Sequence, residues 1–221
     1  MIIKMNTMIR VLFIIFSVIV VIYMIGYTIL HILNKKQNDD ISRLKKIDNR
    51  HDILERMTVY INELATKNGI NIIPAYGTLL GLVRDNKILD HDYDTDFFLF
   101  ESDWNILKSI LEKENRYKLE IINILWHKKM ILKDKSSICM DLSIIKNNKN
   151  SIDLNVFLAF DRSSPSTGTF LWKTPTRVKF DKKWFLPLRK KSSAYGDFYF
   201  PNNIDAILTY WYDDWKTPVI Y

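Results

Sequence analysis

The sequence is nearly free of cysteine: Cys139 is the only one among 221 residues. A single cysteine excludes an intrachain disulfide and fits a reducing compartment, although a chain with 48% hydrophobic residues needs no covalent crosslink to build a core. No histidine or cysteine pair has the spacing of a zinc site, and there are no internal repeats. The length allows one folded domain plus an accessory segment.

A concentrated basic region is also missing from most of the chain, despite a formal net charge of +7. Residues 1–50 hold eight Lys or Arg and three Asp, whereas residues 51–221 hold 24 basic and 22 acidic residues. Proteins that follow a phosphate backbone usually carry a concentrated basic face. We therefore expect no nucleic-acid partner.

One long apolar run stands near the amino terminus, at residues 11–33, without Asp, Glu, Lys or Arg. It is long enough to cross ~30 Å of hydrocarbon as a helix, and no cleavage site of small residues follows it. The sequence predicts a tail at 1–10, a transmembrane anchor at 11–33, a juxtamembrane linker at 34–50 and one domain at 51–221. Basic residues are more numerous after the run than before it, which favours a cytoplasmic carboxyl side.

The apolar spacing after residue 50 predicts an α+β domain, with a small mixed sheet covered by helices. Helices are expected at 51–68, 78–84, 102–115 and from Asn202 or Asn203 to about 211. Strands are expected at 70–76, 93–100, 117–126, 129–133, 138–145 and 151–160, with a hairpin turn at 146–150. We expect Ser102 to cap its helix, Pro74 to keep the first strand at an edge, and residues 161–200 to be a partly irregular excursion.

Aspartates alternate at positions 90, 92, 94 and 96, directly before the apolar residues FFLF. Residues two apart on a strand share a face, so Asp94 and Asp96 repel each other unless a cation lies between them. Mg²⁺ binds through one or two carboxylates together with substrate phosphates. A solvated acidic turn is the alternative, but charges at the mouth of a buried strand favour a site, and Asp92 adds a further acid there.

A Gly-Thr pair precedes these acids at positions 77 and 78. Gly77 permits close approach of a phosphate, Thr78 can cap the following helix or donate to a phosphate oxygen, and Arg84 can hold the same anion. Alone, the pair is a weak signal and favours an ordinary helix cap with Arg84 in solvent. Combined with a D-x-D strand and a third carboxylate on a neighbouring strand, it matches the nucleotidyltransferase pattern related to polymerase β, which uses two-metal phosphoryl transfer.

The run YGTLLGLVR at 76–84, followed by ILDHDYDTD at 88–96, resembles the G-T-L-L-G-x-x-R and I-P-x-D-x-D-x-D signature of the LicD and fukutin phosphotransferases. Asp90 stands where that family usually has proline. The later run IDL at 152–154 resembles the strand that supplies the family's third carboxylate. The resemblance extends over about residues 51–218 and implies that 51–221 is a catalytic domain with a nucleotidyltransferase-like fold.

The resemblance implies transfer of ribitol phosphate, phosphocholine or a similar phospho-alcohol from a CDP-linked donor to a glycan hydroxyl, with Mg²⁺ or Mn²⁺ as cofactor. It assigns catalysis and metal binding to Asp94, Asp96 and Asp153, with Asp153 helping to deprotonate the acceptor. It also implies an anchored domain in the Golgi or ER lumen, opposite to the orientation that the basic residues favour. The residues assigned to donor binding are Gly77, Thr78, Arg84 and Asp92.

Three alternatives stay open at this point. Asp141, in the apolar run ICMDLSII, is the second candidate for the third carboxylate. The chain can also be a membrane-anchored scaffold with this fold and no activity, or a nucleotidyltransferase that transfers NMP to its acceptor.

Overall fold

The computed structural model describes residues 2–124, 127–157 and 175–218. The chain divides into two compact units, Met1–Lys46 and Ile47–Tyr221. The first unit is one helix, α1 (Ile2–Lys45), which continues unbroken through the residues predicted as tail and anchor and into those predicted as linker. Within the described residues, one helix is long and apolar enough to be a candidate membrane span, over Ile9–Lys45.

The second unit alternates helices and strands, as the sequence predicts. Its helices are α2 (Arg50–Lys67), α3 (Tyr76–Arg84), α4 (Trp104–Glu114), α5 (Lys182–Phe185) and α6 (Ile204–Tyr212), with a 3-10 turn at Glu101–Asp103. Its strands are β1 (Ile72–Pro74), β2 (Asp94–Phe100), β3 (Lys118–Ile124), β4 (His127–Lys133), β5 (Cys139–Asn147), β6 (Ser151–Phe157), β7 (Pro175–Asp181), β8 (Arg189–Ser193) and β9 (Gly196–Phe200).

Seven strands form one mixed sheet around β5, and β8 and β9 form a separate hairpin. β5 runs parallel to β2 along one edge. Along its other edge, β5 pairs antiparallel with β4 over residues 139–143 and with β6 over 145–147. The first half of β5 therefore lies between β2 and β4. This mixed sheet with flanking helices is the α+β class that the sequence predicts.

Buried apolar side chains hold both faces of β2 and explain why its polar residues stand only at its start. Phe97 stacks on Phe198 of the β8–β9 hairpin, with ring centroids 5.8 Å apart. Phe98 contacts Phe185 of α5 at 6.0 Å. All four rings are fully buried. Burial of each such side chain contributes about 2–3 kcal/mol, which fixes the strand in the core and the start of β2 at the rim.

Several local predictions are confirmed. Pro74 lies in the edge strand β1, and β5 and β6 form a hairpin whose turn at 148–150 lies within the predicted 146–150. Asn203 caps α6, because its Oδ1 accepts a hydrogen bond of 3.0 Å from the backbone N–H of Ala206. The predicted role of Ser102 is wrong: Ser102 lies in the 3-10 turn, and α4 begins at Trp104 without a side-chain cap.

The prediction of an irregular excursion at 161–200 is wrong for its described part. Residues 175–200 contain β7, α5 and the β8–β9 hairpin. Along β7, Val178 and Phe180 are buried while Arg177 and Lys179 are exposed, which is the period-two pattern of a half-buried strand. Residues 158–174 lie outside the described residues.

Candidate active site

The register of β2 and β5 brings three aspartates to one face of the sheet. Asp96 lies directly opposite Asp141, and Asp94 lies opposite Cys139. Residues paired across parallel strands point to the same face, and residues two apart on one strand do so as well. Asp94, Asp96 and Asp141 therefore share one face, at the points where β2 and β5 begin.

The start of α3 is fixed against Asp96 by two hydrogen bonds. The N–H of Ala75, the residue before α3, donates to the Asp96 carbonyl at 3.0 Å. The N–H of Asp96 donates to Thr78 Oγ1 at 2.8 Å. The predicted capping role of Thr78 is wrong, because its buried hydroxyl oxygen accepts from β2 and the N-cap residue is Ala75. The hydroxyl proton of Thr78 still gives the site one donor.

Two glycines of α3 let the acidic loop approach the helix closely. A Cβ added to Gly77 would lie 3.2 Å from Oδ2 of Asp92, so Asp92 lies against the first turn of α3. A Cβ added to Gly81 would lie 2.4 Å from the carbonyl oxygen of Lys87, a distance that no side chain tolerates. The missing side chains thus bring the loop that carries Asp92 over α3 and toward the other acids.

Burial and mutual repulsion raise the pKa values of the paired acids. The pKa of Asp94 rises to about 7, first through burial and then through the negative charges of Asp141 and Asp92. The pKa of Asp96 lies well above its ordinary value, again through burial first and then through Asp94 and Asp141. Lys129 acts in the opposite direction on both. These carboxylates therefore favour either a proton or a cation.

Lys129 of β4 reaches into this group from the other side of β5. It lies opposite Ser143 in the sheet, and its ammonium forms an ion pair and a hydrogen bond with Oδ2 of Asp141. The other oxygen, Asp141 Oδ1, is buried and has no hydrogen-bond partner among the described residues. Nothing in the run HKKMILK distinguishes Lys129 from a solvated strand lysine, so the sequence alone does not indicate its place in this group.

The structure does not bring Asp153 to this group. Asp153 pairs in β6 with Lys146, five residues beyond Asp141 along β5, which corresponds to roughly 17 Å at the rise of a strand. Its carboxylate accepts a 2.6 Å hydrogen bond from Ser151 Oγ and forms an ion pair with Arg177. Burial alone raises the pKa of Asp153, but these two partners outweigh burial and hold it below its ordinary value. The carboxylate on the strand next to β2 is that of Asp141.

Arg84 is held by its neighbour in the chain. Its guanidinium donates from Nε and Nη2 to the Asp85 carboxylate, with the ion pair at 2.8 Å. The hydrogen bond from Arg84 lowers the pKa of Asp85. Asp90, which stands in the place of the family's proline, is exposed and pairs with Lys87 at 2.7 Å. A role for Arg84 toward a donor would require it to leave Asp85.

The acids partly meet the requirements of a divalent metal ion. No three His, Cys, Asp or Glu side chains within residues 2–124, 127–157 and 175–218 are arranged as a complete ion site. The repulsion that raises the pKa of Asp94, and the unpaired buried oxygen of Asp141, nevertheless fit a hard cation with oxygen ligands. Asp94, Asp96 and Asp141 are the residues that would hold it, after their side chains move closer together.

One cavity of the described region lies away from these acids. It has a volume of about 1090 Å³ and lies at the far end of β2, against Phe100 and the 3-10 turn. It contains none of the four aspartates near α3. The candidate site is therefore the face of the sheet that carries Asp94, Asp96 and Asp141, rather than this cavity.

Comparison with known proteins gives a family for the chain. The family model described as "LicD/FKTN/FKRP, nucleotidyltransferase domain" matches residues 69–203, more than half of the chain. The lincosamide antibiotic adenylyltransferase LnuA, bound to lincomycin, is similar at 17% identity and a TM-score of 0.44, covering 68% of this chain and 81% of its own. ANT(2")-Ia in complex with adenylyl-2"-tobramycin is similar at 12% identity and a TM-score of 0.35, covering 57% and 70%. No curated protein matches the chain.

Proposed function

We propose that this chain, which belongs to the LicD/FKTN/FKRP family through its nucleotidyltransferase domain, transfers a phosphorylated alcohol from a CDP-linked donor to a glycan hydroxyl. The family supports a transferase of the phosphotransferase or nucleotidyltransferase type. The observation that supports the finer proposal is the placement of Asp141 opposite Asp96, beside the start of α3. Acids on two adjacent strands, next to a helix that begins with a glycine turn, suit the transfer of a phosphoryl group.

We assign the cation to Asp94, Asp96 and Asp141, with Mg²⁺ or Mn²⁺ as the ion. When bound, such an ion supplies positive charge to the phosphate oxygens that gain negative charge during the transfer. Asp141 takes the role that the resemblance gives to Asp153, because the Asp153 carboxylate already pairs with Ser151 and Arg177. Asp92 positions the first turn of α3 through its contact with Gly77.

We assign donor binding to the first turn of α3. The N–H groups of a first helical turn have no partner within the helix, and the helix dipole favours an anion there. Gly77 leaves room for the diphosphate, and Thr78 donates its hydroxyl proton. Arg84, once released by Asp85, offsets the charge of the donor.

The proposed step exchanges one P–O bond for another. The oxygen of the acceptor hydroxyl forms a bond to the phosphorus that carries the alcohol, and the bond from this phosphorus to the bridging oxygen of CMP breaks. CMP leaves with the bonding electron pair, and the hydroxyl proton passes to the Asp141 carboxylate. The products are a glycan phosphodiester and CMP.

We further propose that α1 anchors the domain in a membrane. The support is α1 itself, which is long and apolar enough to cross a membrane. A lumenal domain in the Golgi or ER fits a glycan acceptor. The test treats sealed microsomes, which carry the chain with a carboxyl-terminal epitope, with a protease. Protection of the epitope places the domain in the lumen, and loss of the epitope places it in the cytosol.

The catalytic proposal is tested with the purified full chain, Mn²⁺ and a panel of CDP-ribitol, CDP-choline and CDP-glycerol. We expect CMP release from one donor, increased by a matching glycan and abolished by EDTA. If NMP appears on the acceptor without free CMP, the chain is a nucleotidyltransferase. If CDP and Mn²⁺ neither bind nor raise the melting temperature, the chain is a scaffold.

A further inference from the structure

Lys129 occupies an unusual place for a lysine. Its side chain is only 21% exposed, and the carboxylate of its partner Asp141 is 17% exposed, so their ion pair is largely shielded from water. Lys133, on the same strand and the same face, pairs instead with Glu120, about one-third exposed, at 2.6 Å. Of these two lysines, Lys129 points its charge at the proposed catalytic acids.

The positive charge of Lys129 partly balances a local excess of negative charge. Three acids meet on this face, and Asp92 lies nearby against Gly77. Their repulsion is strong in a shielded location, because the screening by water is reduced. The ammonium of Lys129, paired with Asp141, offsets part of this repulsion, so the chain itself supplies a cation to the site.

The ammonium also stands where a divalent ion would come. The ammonium pairs with Oδ2 of Asp141, whereas Oδ1 has no hydrogen-bond partner among the described residues. Only one of the two carboxylate oxygens is therefore paired. An ammonium and a divalent ion beside the same carboxylate repel each other. The side chain of Lys129 is long and flexible, so its ammonium can move away from Asp141 without a change in the sheet.

We propose that Lys129 is the resident counter-cation of the site, which neutralises Asp141 in the metal-free protein and is displaced when a divalent ion binds Asp94, Asp96 and Asp141. This inference rests on the proposed function, because it takes these acids as the metal ligands. It has two consequences: without a bound divalent ion, Lys129 stabilises the acids against their mutual repulsion, and it weakens the affinity for the metal ion.

The test measures Mn²⁺ binding to the full chain without any donor, by electron paramagnetic resonance of free Mn²⁺. We expect Lys129→Met to bind Mn²⁺ roughly tenfold more tightly than the unmodified chain, because a neighbouring positive charge is removed. In EDTA the same variant melts several degrees lower, and saturating Mn²⁺ restores its melting temperature. Lys129→Arg keeps the charge and binds Mn²⁺ within about twofold of the unmodified chain.

Lys133→Met is the matched control, because it removes a lysine of the same strand and face that pairs outside the site. It leaves Mn²⁺ affinity unchanged. The inference is overturned if Lys129→Met binds Mn²⁺ equally or more weakly, or if Lys129→Arg tightens binding as much as Lys129→Met. Should Lys129→Met not fold, Lys129→Gln with the same readouts replaces it.

The failure of this inference and that of the proposed function are separable. CMP release by the unmodified chain with Mn²⁺, together with unchanged affinity in Lys129→Met, overturns the inference and leaves the proposed function intact. Absence of Mn²⁺ binding in every variant overturns the inference and the metal dependence together, and the CMP assay then decides whether any transfer remains.

Discussion

Asp96 and Asp141 lie directly opposite each other on the parallel strands β2 and β5. Asp153 does not join this pair, because it lies on β6 opposite Lys146, roughly 17 Å beyond Asp141 along β5. The pair also explains the electrostatics, since the charges of Asp94 and Asp141, after burial, raise the pKa of Asp96. Four predictions follow from this geometry and its surroundings.

We expect Asp141→Asn to reduce turnover and Asp153→Asn to reduce stability. Asp141→Asn lowers CMP release at least 100-fold. Its melting temperature changes little, because the relief of repulsion among the three acids is offset by the loss of the ion pair with Lys129. Asp153→Asn keeps most of the turnover but costs ~2 kcal/mol of stability, because the charged hydrogen bond with Arg177 is lost. The measurements are CMP release and thermal unfolding. Loss of turnover only in Asp153→Asn would return the third carboxylate to Asp153.

The stability of the metal-free protein falls as the pH rises from about 4 to about 7. The pKa of Asp94 is about 7 in the folded protein and near 4 in the unfolded chain, so the folded state binds more protons in this window. The decrease from Asp94 is up to about 3 kcal/mol. Denaturant unfolding in EDTA at several pH values measures it.

Asp94→Asn is the control for this pH dependence. It removes the Asp94 contribution, so its stability changes less between pH 4 and 7 than that of the unmodified chain. It also abolishes CMP release. A variant with the full pH dependence, or with normal turnover, contradicts the assignment of Asp94.

We expect Gly81→Ala to reduce stability and Gly77→Ala to reduce CMP release. The added methyl group at Gly81 meets a backbone carbonyl at 2.4 Å, so the loop must shift and stability falls by more than ~2 kcal/mol. The methyl group at Gly77 meets only the side chain of Asp92, at 3.2 Å, which can move. Gly77→Ala therefore lowers CMP release about tenfold with little change in melting temperature. Equal loss of stability in both variants would show that Gly77 has a purely structural role.

Arg84→Ala and Asp85→Asn change donor binding in opposite directions. If Arg84 offsets the donor charge, Arg84→Ala weakens CDP binding about tenfold. Asp85→Asn removes the carboxylate that holds Arg84 at 2.8 Å, so CDP binding stays equal or becomes a few-fold tighter. Calorimetry with CDP and Mn²⁺ distinguishes them. Weaker binding in both variants would mean that Arg84 acts only through its pair with Asp85.

The local parts of the site are predictable from the sequence. The alternation that ends in FFLF predicts β2, and the glycine-containing run at 76–84 predicts the helix beside it. Both depend on residues close together in the chain, so pattern and propensity suffice. The resemblance carried by the same residues gives the family, which the family match confirms.

The choice between Asp141 and Asp153 could not be made from the sequence. Both stand in apolar runs that alternate in the same way, and the decision depends on which strand pairs with β2 and in which register. That pairing is a long-range choice that no local pattern contains. Lys129 was missed for the same reason, since its importance arises only from β4 lying beside the first half of β5.

The described part of the region at 161–200 was misjudged for a different reason. Its many Ser, Thr, Pro and Lys residues suggest a loop. Among the residues of β7 whose burial is described, 177–181, only Val178 and Phe180 are buried, and the strand pairs with β6. Such a strand carries a weak period-two signal that composition hides.

The two hydrogen bonds that join Ala75 and Thr78 to Asp96 have a consequence for substrate selection. They join the first turn of α3 to the strand that carries Asp96, so a ligand that shifts the helix would also shift the Asp96 side chain. A donor whose two phosphates are spaced differently would misplace an acid it never touches. Discrimination between donors would then appear in the turnover number rather than in binding strength.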